Sequence, residues 1–271
     1  MNETILIELR TEELPPKSLK LLSDAFAEAV FAALRAQEFA TAASVCTPYA
    51  TPRRLALTIT EVAERQPDRV LEKKGPAVAG ALDANGQPTR ALEGFMRAAG
   101  VSFAQLHRTT DAKGEYFVAR REQQGEELSA HLAAIVAQAV RKLPIPKVMR
   151  WGDSDHQFVR PVHSLVLLHG SQIVAGEVLG LGSGRTTIGH RFLSAGEISI
   201  ERADEYAARL AAGQVIASFG ERRALIAKQI EAAAARLGAR INPAPALLDE
   251  VTALVEWPVV YVGAFEAEFL E

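Results

Sequence analysis

The sequence contains a single cysteine, Cys46, among 271 residues. No internal disulfide can form, and thiols are too few for a structural zinc site. One lone thiol fits a reducing, cytoplasmic setting. There is no apolar run of about 18 residues, which excludes a transmembrane helix as the reading. The opening MNETILIELRTEE has neither a basic n-region nor a long apolar h-region, so it does not read as a signal peptide. No charge sign dominates: the formal net charge is −3, and any case for a polyanion partner must be local. The GxSxG nucleophile elbow, the HExxH zinc motif and the GK[ST] of a P-loop are all missing. What remains is an ordinary globular composition, 48% apolar and 23% charged, at a length suited to one large or two modest domains.

The apolar pattern predicts an α+β chain with mixed or antiparallel sheets and flanking helices, because helices and strands cluster rather than alternate. Residues 4–9 read as a buried strand. Thr11 then offers an N-cap oxygen, with Glu12, Glu13, Pro15 and Pro16 in the first turn. Leu19, Leu22, Phe26, Val30 and Leu34 follow at helical spacing to about Glu38. Residues 44–49 and 54–63 read as strands joined around Thr51 and Pro52. This gives an expected β-α-β-β unit over 1–67.

A small α+β unit is expected over 68–143. Its turns are Gly75-Pro76, 83–88, Gly100 and Lys113-Gly114. Its other elements are a helix over 89–99, a strand over 115–122 and an amphipathic helix over 126–143 with Leu128, Leu132, Ile135, Val136 and Val140 on one face. Pro144 and Pro146 end that helix. The third part, 144–271, is expected to be β-rich and then helical. Strands are placed at 162–168, 173–178, 198–200 and 258–262. The first two of these form a hairpin across Gly170-Ser171. Helices are placed at 203–212, 221–237 and 246–255, with Gly213 and Gly238 at the ends of the first two. The end, residues 265–271, follows a strand-like run with no polar tail, as expected of a fragment of something longer.

The stretch 143–192 is the feature that bears on function. Arg141 and Lys142 just before it, then Lys147, Arg150, Arg160, Arg185 and Arg191, meet only Asp153, Asp155 and Glu177, a local excess of about four positive charges. Four of the six histidines, His156, His163, His169 and His190, fall in it too. A basic stretch in a mildly acidic chain suits a surface that meets phosphate. Arg150 and Trp151 follow a proline-stiffened loop, where a cation and an aromatic could grip a backbone and stack on an unpaired base, or where the indole could anchor a core. Arg160 opens a strand and is equally suited to a surface ion pair. Gly180–Arg185 (GLGSGR) could cradle a phosphate, but without the GxGxxG frame a β-turn is the plainer reading. His190-Arg191 could touch phosphate or serve structure. In YATPRRL, Arg53 and Arg54 are adjacent, so strand parity lets at most one face a given partner. His163 and His169 lack a third ligand, so no metal is expected.

Seven segments, taken in order, carry a resemblance. They are TEELPPK (11–17), YATPRRLAL (49–57), KGPA (74–77) with DANGQPTRALEGFMRAAG (83–100), LPIPKVMRWG (143–152), FVRPVHSLVLLHG (158–170), GRTTIGHRF (184–192) and LLDEVTALVEWPVVYVGAF (247–265). Together they resemble the β subunit of bacterial heterotetrameric glycyl-tRNA synthetases, from the first residue to the last. The resemblance implies an α2β2 assembly that uses ATP with Mg to activate glycine and esterify it to tRNA(Gly). It places the class II catalytic centre in the α subunit, and tRNA recognition and assembly in the β subunit. It therefore implies no catalytic residue, cofactor or metal site in this chain. Family β chains are much longer, with an HD-like helical domain and an anticodon-binding domain further on. The stretch from about Leu143 is also similar to B3/B4-type domains of phenylalanyl-tRNA synthetase β chains. The resemblance makes ARRE (119–122) and GLGSGR coincidental mimics of class II arginine motifs. The candidate tRNA or partner contacts are Arg53, Arg54, Lys147, Arg150, Trp151, Arg160, Arg185, His190 and Arg191. The alternatives are an editing hydrolase using His163 or His190 to position water, or a purely structural interface.

Overall fold

The computed structural model describes residues 2–83, 85–112, 114–145, 147–266 and 268. Chain order begins β1 (Asn2–Thr11), α1 (Pro16–Ala36), β2 (Cys46–Thr51), β3 (Arg54–Ala63), β4 (Arg69–Ala77) and α2 (Val78–Ala81). It continues α3 (Arg90–Ala99), β5 (Leu106–Asp111), β6 (Gly114–Gln123), α4 (Leu132–Arg141), β7 (Met149–Arg150), β8 (Gln157–Phe158) and β9 (Val162–His169). Then come β10 (Gln172–Ile173), β11 (Glu177–Val178), β12 (Leu181–Gly184), β13 (Thr186–Ile188) and β14 (Glu197–Ser199). Three helices close the series: α5 (Tyr206–Ala212), α6 (Phe219–Leu237) and α7 (Pro245–Thr252).

The chain is mixed α+β and falls into two compact units, Met1–Arg65 with Glu127–Glu271, and Gln66–Glu126. In the first, a seven-stranded sheet runs β11-β12-β9-β1-β3-β2, with β10 also on β9. Strand β1 therefore pairs with β3 on one side and β9 on the other, both antiparallel. This sheet joins chain segments that the sequence reading assigned to separate units, 1–67 and 144–271. Long-range strand pairing, which no local pattern reveals, is the reason.

Alternation along the central strands decides the layers. Ile5, Ile7 and Leu9 of β1, Leu55, Leu57 and Ile59 of β3, and Leu165 and Leu167 of β9 share one core with α1 and α4. The opposite face sends Leu6, Ala56, Val166 and Leu168 against Ile200, Ala203, Tyr206, Leu210 and Val215. The expected faces of α1 (Leu19, Leu22, Phe26, Val30, Leu34) and α4 (Leu132, Ile135, Val136, Val140) are all buried. Each large side chain there is worth about 1.5–3 kcal/mol of apolar burial.

Several expectations are corrected. Thr11 ends β1 and does not cap α1; its hydroxyl donates to the Glu12 carbonyl. Two consecutive prolines hold the residues before them extended, so α1 starts only at Pro16, and Glu12 and Glu13 stay outside it. The helix expected from 126 begins as a 3-10 turn (Leu128–Ala130), with α4 proper from Leu132. Likewise, Ala203–Glu205 is a 3-10 turn ahead of α5. The hairpin across Gly170-Ser171 forms, but β10 pairs with β9 over two residues only. The chain then leaves the strand near Gly176, where a Cβ would lie 2.4 Å from that of Ala133. Residues 258–262 form no strand. The Gln229 side chain takes their backbone bonds instead, donating to the Pro258 carbonyl and accepting from the Val260 N–H.

The second unit is a three-stranded antiparallel sheet, β4-β6-β5. A small core of Ala81, Leu92 and Phe117 packs with Phe95 and Met96 of α3. Gly75-Pro76 is not a turn; it lies inside β4 at a register shift against β6. Lys113, half of the expected Lys113-Gly114 turn, lies outside the described residues, as do Pro146 and the chain end at 267 and 269–271.

Candidate nucleic-acid interface

One end of the large sheet collects charge from four chain segments. The β2–β3 hairpin turns at Pro52-Arg53, since Thr51 pairs with Arg54. The segment after β1 packs on that turn, the Thr11 N–H donating to the Arg53 carbonyl and the Leu14 N–H to that of Pro52. The start of β9 joins through the Glu12 N–H, which donates to the Pro161 carbonyl. Glu12 is the hub. Its carboxylate lies 2.8 Å from His163 Nε2 and 3.2 Å from an Arg53 guanidinium nitrogen. The hydrogen bond from His163, then the charges of Arg53, His163 and Arg191, hold the Glu12 carboxyl below its ordinary value. Beside it, Arg10 donates to Ser164 Oγ at 3.1 Å. Two guanidiniums, of Arg53 and Arg191, and the His163 imidazole thus act on one carboxylate, while among charges Arg10 answers first to Glu8.

A few ångströms inward the same types of residue are sealed. Arg54 is 1% exposed. It donates to Glu256 Oε1 at 2.6 Å and to the Ile188 carbonyl at 2.8 Å, and its Nε stands 3.5 Å from Glu8 Oε2. Tyr206 donates its hydroxyl to Glu8 at 2.5 Å. Burial works against the Arg54 charge, but Glu256 and Glu8 more than offset it and its pKa rises. Burial, then the Glu8 charge, drives the Tyr206 phenol well up. Arg222, also enclosed, donates to the carbonyls of Ile216, Ala217 and Ala50, and burial lowers it to about 10.

The expected contact residues therefore separate. Arg53 and Arg191 belong to the surface cluster. Arg54 cannot touch a partner: strand parity turns it inward beside Glu8. Arg160 stands near the cluster, but its guanidinium donates to the carbonyls of Glu13 and Val159. Arg150 is exposed and paired with Asp155 at 3.1 Å, while Trp151 is half-buried and packs against the main core. Arg185 pairs with Glu201 and donates to the Ser171 carbonyl. Lys147 is exposed. Part of the basic stretch 143–192 is thus engaged in local ion pairs.

GLGSGR opens on Gly180, the second residue of the Leu179-Gly180 turn between β11 and β12, both at positive φ as a tight hairpin requires. It then continues as β12, parallel to β9, so the β-turn reading holds. His190 is a turn organiser, its Nδ1 accepting the N–H groups of Phe192 and Leu193, both at 3.2 Å. Of the two histidines proposed for an editing reaction, His163 has its Nε2 on Glu12 and His190 its Nδ1 in the turn. Sequence reasoning missed Arg10, Glu12 and Ser164 as parts of the cluster. Cross-strand register alone places Arg10 opposite both Arg54 and Ser164. Among the described residues, no three His, Cys, Asp or Glu side chains are grouped to hold a metal ion, and no helix is long and apolar enough to cross a membrane.

The family model described as glycyl-tRNA synthetase beta subunit matches residues 5–271. The chain belongs to that family. It is 52% identical over 271 residues to the glycine–tRNA ligase beta subunit of Neisseria meningitidis serogroup B, and 51% identical over 269 residues to that of Neisseria gonorrhoeae. It is 46% identical over 272 residues to the one from Vibrio cholerae. These alignments take in 99–100% of the chain but 39% of each relative's length. Within the glycyl-tRNA synthetase β family, then, the chain corresponds to a part of the subunit, and the sheet-end cluster is a feature of that part.

Proposed function

We propose that this chain is a tRNA-contacting portion of the β subunit of glycine–tRNA ligase, acting in the cytoplasm beside a catalytic α subunit in an α2β2 enzyme. The whole enzyme uses ATP with Mg to join glycine to tRNA(Gly), and this portion carries none of that chemistry. The supporting observation is the gathering of Arg53 and His163 on the Glu12 carboxylate at the end of the large sheet, with the charge of Arg191 acting on the same group. Such a cluster suits a phosphodiester backbone, whose neutralisation releases counterions.

The test is tRNA binding by the intact β subunit across a salt series. Arg53→Ala and Arg191→Ala should each weaken binding and reduce the slope of log K against log salt by about 1. Arg150→Ala and Arg185→Ala, whose cations are held by Asp155 and Glu201, should change it far less. Binding indifferent to salt and to the first pair would sink the proposal. Loss of association with the α subunit after charge reversal at Arg53, with tRNA binding intact, would assign the cluster to assembly.

A further inference from the structure

Beside the cation cluster, the turn that follows β13 is pinned at several points. The His190 N–H donates to the Gly213 carbonyl at 2.8 Å, and the Ser194 N–H donates to the His190 carbonyl at 3.0 Å. The imidazole accepts two further N–H groups from inside the turn. Gly189 lies so close to Gly213 and Ser194 that an added Cβ would stand 2.5 Å from an oxygen of each. Only glycine fits that approach.

This well-fixed turn does something costly: it leaves Phe192 82% exposed. Leu193 beside it is exposed as well, 56%, but the ring itself is bordered by charge rather than by that leucine alone. The Arg191 guanidinium lies 5.6 Å from the ring centroid, and the His190 ring packs at 6.2 Å, tilted. The charge of Arg191 acts on Glu12, which holds Arg53 and His163. A rigid aromatic face bordered by cations complements a nucleotide: the ring stacks on the base, and the cations take the adjoining phosphates.

We infer that Phe192 is a stacking platform for an unpaired base of RNA, with the Arg191 guanidinium at its edge gripping the adjoining phosphate. The inference rests on the tRNA-contact reading above and names the contact that reading lacks. Stacking needs a base free of its helix, so a fully paired duplex should gain nothing from Phe192.

The experiment uses the intact β subunit, a tRNA(Gly) transcript and a blunt RNA duplex of similar length. Phe192→Ala should weaken tRNA binding on the order of tenfold and leave the salt slope unchanged, since no counterion is involved. It should not alter duplex binding. Phe192→Trp should keep the affinity, and its added fluorescence should be quenched by tRNA. Parental affinity in Phe192→Ala, or an equal loss on the duplex, overturns the stacking role while leaving the tRNA reading in place. So does a loss of α-subunit association with tRNA binding intact, which marks Phe192 as a protein contact. If the parent protein binds no tRNA, both readings fall together.

Discussion

Arg53 and Arg54 are neighbours in sequence and opposites in use. Arg53 sits on a hairpin turn, reaches Glu12 at 3.2 Å and keeps a solvent-facing edge. Arg54 begins β3, points into the opposite face of the sheet and is sealed among Glu8, Glu256, Thr51 and the Ile188 carbonyl. Two clusters of like composition thus differ in solvent. In the exposed one, water screens each pair, so an ion pair adds little to stability and its potential is available to a partner. In the buried one, desolvation is large and is more than offset only because both carboxylates are in place. Losing either member leaves the other charged and unpartnered. A charged pair in the sequence therefore says nothing about binding until burial assigns it to one regime or the other.

The sharpest way to break this comparison is stability. Arg54→Ala should lower the unfolding free energy by about 3–5 kcal/mol, read as a fall in urea midpoint at constant m-value. Arg53→Ala should cost clearly less, since its partner Glu12 keeps contact with solvent. Equal losses would show that the two arginines share one environment. Tyr206→Phe comes next, at about 1–3 kcal/mol. The Glu8 oxygen that it satisfies would be left with only Arg54 Nε at 3.5 Å, and the other Glu8 oxygen already has no hydrogen-bond partner. The order should invert for tRNA. Arg53→Ala and Arg191→Ala flatten the salt dependence, while Tyr206→Phe, once corrected for folded fraction, leaves it as in the parent.

Local pattern made much of the fold legible. The Leu19–Leu34 stripe, the β2–β3 hairpin and the Gly238 cap are short-range features, and each is where its periodicity or turn chemistry put it. Strands β4 and β5 were illegible because none of their residues is buried, so no clear apolar alternation marks them. Residues 258–262 read as a strand on composition, yet the Gln229 side chain satisfied their backbone before any ladder could. The site was half legible for the same reason. Adjacency of Arg53 and Arg54 told that they must diverge, but not which went inward. That choice depends on Glu8 and Glu256, more than 40 residues upstream and about 200 downstream. Local charge counting likewise could not show that Arg150 pairs with Asp155 and Arg185 with Glu201, each close in sequence.

The smallest effect expected, and the most discriminating, is at Glu12. Its carboxyl is held below the ordinary value first by His163 and then by Arg53, His163 and Arg191. A depressed carboxyl contributes stability that is complete above its unfolded value and is lost as pH falls through the depressed one. Glu12→Gln should therefore flatten the decline of stability on the acid side, by under about 1 kcal/mol for so exposed a group. At neutral pH the same change removes the one negative charge shared by the surface cations. Binding of tRNA should then tighten by about two- to fivefold, a Coulombic gain of the size of one exposed pair. A single substitution would thus weaken the fold slightly and strengthen the contact. The buried cluster cannot give that pair of signs, because removing Glu8 or Glu256 leaves Arg54 charged in a dry interior and exposes nothing to RNA.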